Sequence, residues 1–133
     1  MNYLEFADYL LIAEQVLGAP AQLIAQLDRI SLAESALAAP AAGFAGVEAY
    51  PEFETKAAIL VWHLVMNHPL PDGNKRCAFL ALVEFAARNG REWRRGAGDP
   101  DETDTMIRGI PEGTVTQLEL RAWIAERVRS AAS

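Results

Sequence analysis

Two long apolar runs lie in the middle of the chain and dominate its hydrophobic pattern. From Phe53 to Met66 and from Cys77 to Ala87, nearly every position carries a side chain that can be buried, and neither run has a wide polar face. Helices that are hydrophobic all round lie in the middle of a bundle. The pattern therefore predicts a central pair of buried helices.

Shorter segments with helical spacing of apolar residues precede this pair. Leu4 to Leu17 forms the first and stops at Gly18, a residue type that commonly ends helices. Pro20 then opens a short second helix. Ser31 begins a third, and Glu34 three residues later matches the pattern of a capping box, in which side chains satisfy the free amides of a helix start.

Two more helices are predicted after the central pair. The segment DPDETDTMIRGI has Asp99 and Pro100 at cap and first-turn positions. The last helix is expected to run from Thr116 to Val128. Its residues available for packing are Leu118, Leu120, Trp123, Ile124 and Val128.

The segments between the helices contain the turn-forming residues. Residues 40–51 carry two glycines, two aromatic residues and a closing proline, which predicts an ordered loop or a small hairpin and makes this segment a flap candidate. Asn89 and Gly90 close the second central helix, the strand propensity after them is too brief to predict a sheet, and the terminal SAAS is expected to fray. Residues 1–133 are therefore expected to form a single all-α domain with orthogonal or bundle-like packing.

Composition excludes several classes of function. The longest uncharged apolar run, Ala57 to Met66, is far shorter than the roughly 20 residues that cross a bilayer, and the acidic N-terminus lacks the features of a secretory signal. We therefore expect a cytoplasmic protein without membrane association. Cys77 is the one cysteine and is interpreted as a small buried hydrophobe. With only two histidines, the chain has no convincing metal-ligand cluster.

The net charge of −6 repels phosphate backbones, so no direct nucleic-acid binding is expected. One segment is rich in arginine, and we interpret it as a solvated turn that can still contact an acidic partner. Trp93 within it is interpreted as an aromatic residue packed over a helix end, and His63 as a core or cleft-edge histidine. The arginines of this segment are Arg88, Arg91, Arg94 and Arg95.

Residues 68–76, HPLPDGNKR, lie between the two central helices and carry several polar and charged side chains. Gly73 or Asn74 is expected at the start of the second helix, where unpaired backbone amides and the helix dipole favour an anion. Lys75 and Arg76 in the first turn are unfavourable for helix stability. They are well placed for a bound polyphosphate.

The same segment holds two residues that can take part in a reaction. Asp72 offers the carboxylate that a Mg²⁺ bridging nucleotide phosphates requires. His68 can take a proton from a hydroxyl nucleophile, the usual role of histidine near neutral pH. Each of these residues alone has an ordinary explanation as a cap, a turn residue or a solvated charge. Together, within nine residues, they indicate nucleotidyl or phosphoryl transfer.

HPLPDGNKR resembles the signature of the Fic/Doc superfamily, and in particular of its Doc (death-on-curing) branch. SLAESALAAP, YPEFETKAAILVWHLVMNHP and RNG resemble the corresponding family segments in order and spacing, so the resemblance covers roughly residues 3–95. Fic adenylyltransferases usually have GNGR where this chain has GNKR, the Doc form. Two positions depart from the family: Leu70 replaces an aromatic loop anchor, a role that leucine can fill with less area. Met66 replaces a frequent arginine, which reduces affinity or activity if that arginine holds nucleotide or substrate.

The resemblance implies a Fic/Doc-type compact helical domain with a central buried helix pair and a short flap. It also implies a toxin of a type II toxin–antitoxin system, which uses ATP and Mg²⁺ to phosphorylate a threonine of elongation factor Tu and so blocks translation. In Doc-like proteins the motif lysine is held to reverse ATP, so that the γ-phosphate faces the attacking hydroxyl. Carried over to this sequence, the resemblance implies that His68 is the general base and that Asp72 binds or orients Mg²⁺. Gly73 and Asn74 would form the anion hole, and Lys75 and Arg76 would bind phosphates. The implied catalytic residues are His68, Asp72 and Arg76.

Two alternatives stay open. One is a Fic-type adenylyltransferase, which transfers AMP to a protein hydroxyl, and the other is a catalytically weak binding module of the same fold. The resemblance further implies a cognate antitoxin with a helix-forming tail. It also implies that residues 40–51 align a target peptide by strand-like pairing. The chain has no clear inhibitory glutamate motif, which favours control in trans.

Overall fold

The computed structural model describes residues 1–96 and 100–130. Within those ranges the chain forms seven α-helices, one 3₁₀ turn and two short strand pairs. The helices are α1 (Phe6–Leu17), α2 (Ala21–Ile24), α3 (Ser31–Ala38), α4 (Phe53–Asn67), α5 (Asn74–Arg88), α6 (Asp101–Glu112) and α7 (Gln117–Arg127), and the 3₁₀ turn is Ala39–Ala41. The strands are β1 (Gly43–Phe44), β2 (Val47–Glu48), β3 (Arg91–Trp93) and β4 (Val128–Ser130).

The predicted central helix pair is confirmed. Helices α4 and α5 pack against each other, and α3, α6 and α7 pack on α4 while α1 packs on α5. Both central helices are buried along much of their length, with Leu60, Val61 and Leu64 of α4 and Leu82 and Phe85 of α5 in one continuous core. No helix in the described ranges combines the length and apolar character needed to cross a bilayer. The all-α fold class is also confirmed, because the strands contain only two or three residues each.

The starts and ends of the N-terminal helices agree only partly with the sequence. Helix α1 ends at Gly18 as predicted, in the left-handed conformation with φ 68°. The capping box predicted for α3 is wrong, because no side chain caps this helix. The preceding turn already brings Ile30 into helical geometry, and the amides of Leu32 and Ala33 donate to backbone carbonyls of that turn. Backbone groups therefore take the place that Ser31 was expected to fill.

The C-terminal region differs more from the prediction. Strand β3 pairs antiparallel with β4, with Arg91 opposite Ser130 and Trp93 opposite Val128, so the segment after α5 does form part of a sheet, and the helix predicted to reach Val128 ends at Arg127. The partner strand lies 35 residues away, and local propensity does not reveal such pairing. Leu118, expected to pack, is 71% exposed. Asp99, predicted as a cap, and residues 131–133 of the predicted frayed tail lie outside the described residues.

The flap candidate is a small hairpin, as predicted. Strands β1 and β2 pair antiparallel, and Phe44 and Val47 project from them, 88% and 71% exposed. A lysine of α4 holds the base of this hairpin. Lys56 is 1% exposed and donates hydrogen bonds to the carbonyl of Pro40 at 3.1 Å and to Glu48 Oε1 at 3.2 Å. The exposed hairpin is thus fastened to the core.

Candidate active site

A cavity of about 760 Å³ lies beside the loop that joins α4 to α5. This volume falls in the range of small-molecule sites. One wall is the loop and the start of α5, and it contains all six residues singled out in the sequence: His68, Asp72, Gly73, Asn74, Lys75 and Arg76. The other wall comes from α6 and the segment before it, while the end of α1 also contributes. The nine-residue segment therefore does not stand alone but faces a second surface.

The loop leaves α4 through an unusual backbone conformation. His68 adopts the left-handed region, with φ 50° and ψ 58°, a strained conformation for a residue other than glycine. Arg29 holds this turn by donating to the carbonyl of Asn67 at 2.7 Å and to that of His68 at 3.1 Å. Leu70 is buried and fixes the middle of the loop in the core, as expected.

Asn74 ties the loop to the start of α5. Its side chain is buried, and Oδ1 accepts a hydrogen bond from the Leu70 amide at 3.0 Å. Nδ2 donates to the Leu70 carbonyl at 2.8 Å and lies 3.2 Å from His68 Nδ1. The side chain is thus fully used in holding the loop. Only the backbone N–H of this residue is therefore available to donate a hydrogen bond to an anion.

The same hydrogen bonds assign the tautomer of His68. Leu70 fixes which way the Asn74 amide points, so the second N–H of Nδ2 is directed at His68 Nδ1. A nitrogen that accepts this hydrogen bond carries no proton, and a neutral ring then carries its proton on Nε2. In this arrangement the ring presents a donor at Nε2. The Asn74 contact must break before His68 can act as a base.

Helix α5 begins without a side-chain cap. Gly73 is the N-cap residue with φ 79°, and the first hydrogen bond within the helix runs from the Cys77 amide to the Gly73 carbonyl at 2.9 Å. The amides of the first turn consequently have no acceptor within the helix. A side chain at position 73 would be strained by the backbone and would also lie 2.9 Å from a methyl group of Val16. Glycine is needed here on both counts.

Charge reinforces the effect of these free amides. Lys75 and Arg76 are exposed in the first turn of α5, and that turn contains no acidic residue. Cations at this end of a helix oppose its dipole. An anion in the cavity would remove that conflict, since it would contact both the amides and the two side chains.

Asp72 is suited to a metal ion that arrives with a ligand. The described residues contain no group of three or more histidine, cysteine, aspartate or glutamate side chains that would form a metal site by themselves. Mg²⁺ bound with nucleotide phosphates needs only one or two carboxylates, because phosphate oxygens and water complete its shell. Asp72 is exposed, lines the cavity and uses Oδ1 to accept from the Gly73 amide at 2.8 Å. The carboxylate therefore fits a nucleotide-associated Mg²⁺.

Several cavity residues were missed by sequence reasoning. Arg95 was interpreted as part of a solvated turn, but it lines the cavity. The remaining members of the far wall are Pro100, Thr103, Asp104, Ile107 and Pro111, and Phe79 joins them from α5. No local motif marks these positions, because only packing of α6 near the loop brings them to the site.

Solvent exposure tests the expectations about Cys77, His63 and Met66. Cys77 is fully buried, and desolvation raises the pKa of its thiol to about 11. It is therefore a buried hydrophobe, as predicted, and a poor nucleophile. His63 is half-buried and lies outside the cavity lining, as does Met66, which is exposed. Met66, where an arginine was expected from the resemblance, therefore takes no part in the lining of this cavity.

Comparison with known proteins identifies relatives of the chain. The model of the Fic/DOC family matches residues 3–86. The protein named Toxin Doc from Mycolicibacterium smegmatis (strain ATCC 700084 / mc(2)155) is 48% identical over 59 residues, which are 44% of this chain and 45% of that relative. The aligned part is less than half of that relative's length. No solved structure matches the chain.

Proposed function

The chain belongs to the Fic/DOC family, and on this premise we propose that it is an ATP-dependent protein kinase toxin. In this proposal it transfers the γ-phosphate of ATP to a threonine of elongation factor Tu and thereby blocks translation. The observation that carries the proposal is the start of α5, which has no cap and carries Lys75 and Arg76 beside a cavity of nucleotide size. The name of the relative, a toxin, supports the biological role.

Phosphate binding in this proposal relies on groups of the first turn of α5. The backbone amides of this turn donate to phosphate oxygens, and the ammonium of Lys75 and the guanidinium of Arg76 neutralise their charge. Lys75 also favours γ-phosphate transfer over AMP transfer, since the resemblance to Doc-like proteins associates this lysine with a reversed ATP. Asp72 would hold Mg²⁺ against the phosphates, where the ion supplies further charge neutralisation.

His68 handles the proton of the reaction. The target hydroxyl oxygen forms a bond to the γ-phosphorus, while the bond from that phosphorus to the bridging oxygen breaks and its electrons leave with ADP. The hydroxyl proton passes to the imidazole. Before this step the Asn74 N–H must release His68 Nδ1, so that the ring has a lone pair available for the hydroxyl. Asn74 is thus a positioning residue, whose contact has to be exchanged during the reaction.

The proposed partners follow from the family and from the shape of the molecule. Elongation factor Tu is the protein substrate, and the exposed hairpin of β1 and β2 is the proposed surface for its target segment. A cognate antitoxin with a helix-forming tail is proposed to control the toxin in trans. This function places the protein in the cytoplasm, where translation occurs.

The donor test uses purified protein, elongation factor Tu and ATP labelled at either the γ- or the α-phosphate. We expect label on the target only from the γ position. Label retained from the α position would replace the kinase with an adenylyltransferase. His68→Ala should abolish transfer, whereas the matched variant His63→Ala should retain it because His63 lies outside the cavity lining.

The same pair of variants separates an enzyme from a binding module. Expression of the wild-type protein should arrest growth of a bacterial host, and His68→Ala should relieve the arrest. Equal toxicity of wild type and His68→Ala would mean that the protein acts by binding and not by chemistry.

A further inference from the structure

Most cations of this acidic chain are already paired within the fold. The described lysine and arginine side chains that form ion pairs with carboxylates are Lys56, Arg88, Arg91, Arg94, Arg108, Arg121 and Arg127. Arg29 instead binds two backbone carbonyls of the loop. Three cations with described side chains have neither a carboxylate nor a carbonyl partner among the described residues: Lys75, Arg76 and Arg95.

All three of these cations line the same cavity. The chain has 18 acidic residues against 12 basic ones, so a surface cation readily finds a carboxylate. It is therefore notable that these three cations, which have no partner in the described part of the chain, line one cavity. Two carboxylates also line the cavity: Asp72 accepts from the Gly73 amide at 2.8 Å, and Asp104 pairs with Arg108 at 3.7 Å. Uncompensated positive charge in a concave site attracts anions. Among the described residues, three unpaired cations face one carboxylate without an ion-pair partner, and an anionic ligand would balance the positive excess.

We propose that Arg95 is a third phosphate-binding residue of this site and contacts the phosphate chain from outside the loop and the start of α5. The proposal rests on the proposed nucleotide-dependent function and extends it, because Arg95 lies outside residues 3–86 that match the family model. A guanidinium offers two parallel donors that suit phosphate oxygens. A ligand with several phosphates can then extend from α5 to Arg95, so the site favours polyphosphates.

The fold holds the segment of Arg95 firmly. Strand β3 ends two residues earlier at Trp93, whose ring packs edge-on against Phe79 at 5.5 Å and against Trp123 at 5.0 Å between ring centroids. The amide of Arg94 donates to the Arg127 carbonyl at 2.6 Å. Phe79 itself lines the cavity. The aromatic contacts and the strand pair thus fix the backbone that presents Arg95 to the ligand.

The test compares Arg95→Gln with the matched variant Arg94→Gln. Arg94 is the neighbouring exposed arginine, pairs with Glu92 at 3.8 Å and does not line the cavity. Calorimetry would measure binding of ATP with Mg²⁺ and of inorganic tripolyphosphate to the full chain. We expect Arg95→Gln to weaken both ligands by the same factor, about tenfold to a hundredfold. Arg94→Gln should bind both as the wild type does.

Three results would overturn the proposal: unchanged binding to Arg95→Gln, weaker binding of ATP with unchanged tripolyphosphate, or no tripolyphosphate binding by the wild type. The second would mean that Arg95 contacts the nucleoside. Equal thermal unfolding of both variants and the wild type excludes misfolding as the cause. If γ-phosphate transfer fails while the tripolyphosphate difference persists, the kinase assignment falls and the role of Arg95 stands.

Discussion

Helices α5 and α7 begin in opposite ways. At α7 the Thr116 hydroxyl accepts from the Glu119 amide at 3.1 Å, and Glu119 Oε1 accepts from the Thr116 amide at 3.0 Å, which completes a capping box. At α5 no side chain caps the helix, and Lys75 and Arg76 occupy its first turn. One helix start satisfies amides with its own side chains, whereas the other has no side-chain acceptor for them.

The start of α5 is less stable than that of α7 because it lacks these favourable interactions. A side-chain cap stabilises a helix by about 1 kcal/mol, and each cation near a helix start opposes the dipole by roughly 0.3–1 kcal/mol. Helix α6 also lacks a side-chain cap, but its first turn carries Asp101, Glu102 and Asp104, whose charges suit the helix dipole. What sets α5 apart is the pair of cations in its first turn beside the cavity, which we interpret as the cost of an anion site.

The largest effect is expected from breaking the α5 site at Arg76. Arg76→Ala removes a cation that forms no ion pair with any described residue, and loss of one preorganised group at a phosphate costs about 10²–10³-fold in rate. Transfer of γ-label to elongation factor Tu would measure it. Arg121→Ala, at an arginine of α7 paired with Glu52, is the control and should stay near wild-type activity. A loss smaller than threefold for Arg76→Ala would contradict the assigned role.

The next effect concerns the support beneath the α5 site. Asn74→Ala leaves the amide and the carbonyl of buried Leu70 without partners, and each such group costs about 1–3 kcal/mol. We expect the free energy of unfolding to fall by roughly 2–4 kcal/mol in urea denaturation. Asn74→Asp keeps the acceptor but loses the donor. Its free energy of unfolding should therefore lie between those of the wild type and Asn74→Ala. Wild-type stability of Asn74→Ala would show that the loop does not depend on this side chain.

Breaking the α7 start should affect stability without affecting activity. Thr116→Ala removes the cap and should lower the free energy of unfolding by about 1 kcal/mol. Thr105→Ala, at an exposed position within α6, replaces a weak helix former by a strong one and should not destabilise. Phosphate transfer by both variants should match the wild type. A loss of activity in Thr116→Ala alone would mean that the two helix starts are coupled.

Lys75→Gln should change stability in the opposite direction from Thr116→Ala. Removing a cation from an uncapped helix start should stabilise the free protein by about 0.3–0.5 kcal/mol. With saturating tripolyphosphate the order should reverse, since the variant has one phosphate contact fewer. Thermal unfolding with and without the ligand measures both, and Lys75→Arg serves as the charge-preserving control. The same order under both conditions would argue against phosphate binding by Lys75.

The smallest effect is the pH dependence of the α7 cap. The backbone hydrogen bond from Thr116, followed by its side-chain hydrogen bond, holds the pKa of Glu119 below its ordinary value of 4.5. A lowered folded-state pKa means stabilisation that is complete above pH 4.5 and is lost as the pH falls through the folded value. Glu119→Gln can keep the cap without titrating. The difference in free energy of unfolding between wild type and variant should be constant above pH 4.5, and below that pH the wild type should lose stability relative to the variant. A difference that stays constant at all pH values would contradict a lowered pKa of Glu119.

Capping shows how far sequence patterns could predict this structure. Ser31 with Glu34 and Thr116 with Glu119 have the same spacing, yet only the second pair forms a capping box. Before Ser31 the chain is already in a turn that supplies backbone acceptors, whereas before Gln117 it is extended at Thr116, with φ −86° and ψ 165°. The same local pattern therefore had two outcomes, because the conformation of the preceding residues depends on the rest of the fold.

Features whose physical cause is local could be predicted from the sequence alone. Long apolar runs specify the buried pair α4 and α5, glycine ends α1, and HPLPDGNKR carries the loop and the first turn of α5 with their family resemblance. Three features depend on tertiary packing: the pairing of β3 with β4, the hydrogen bonds of the Asn74 side chain within the loop, and the position of Arg95 in the cavity lining. These depend on groups distant in sequence, whose contacts form only when burial of the core brings the helices together.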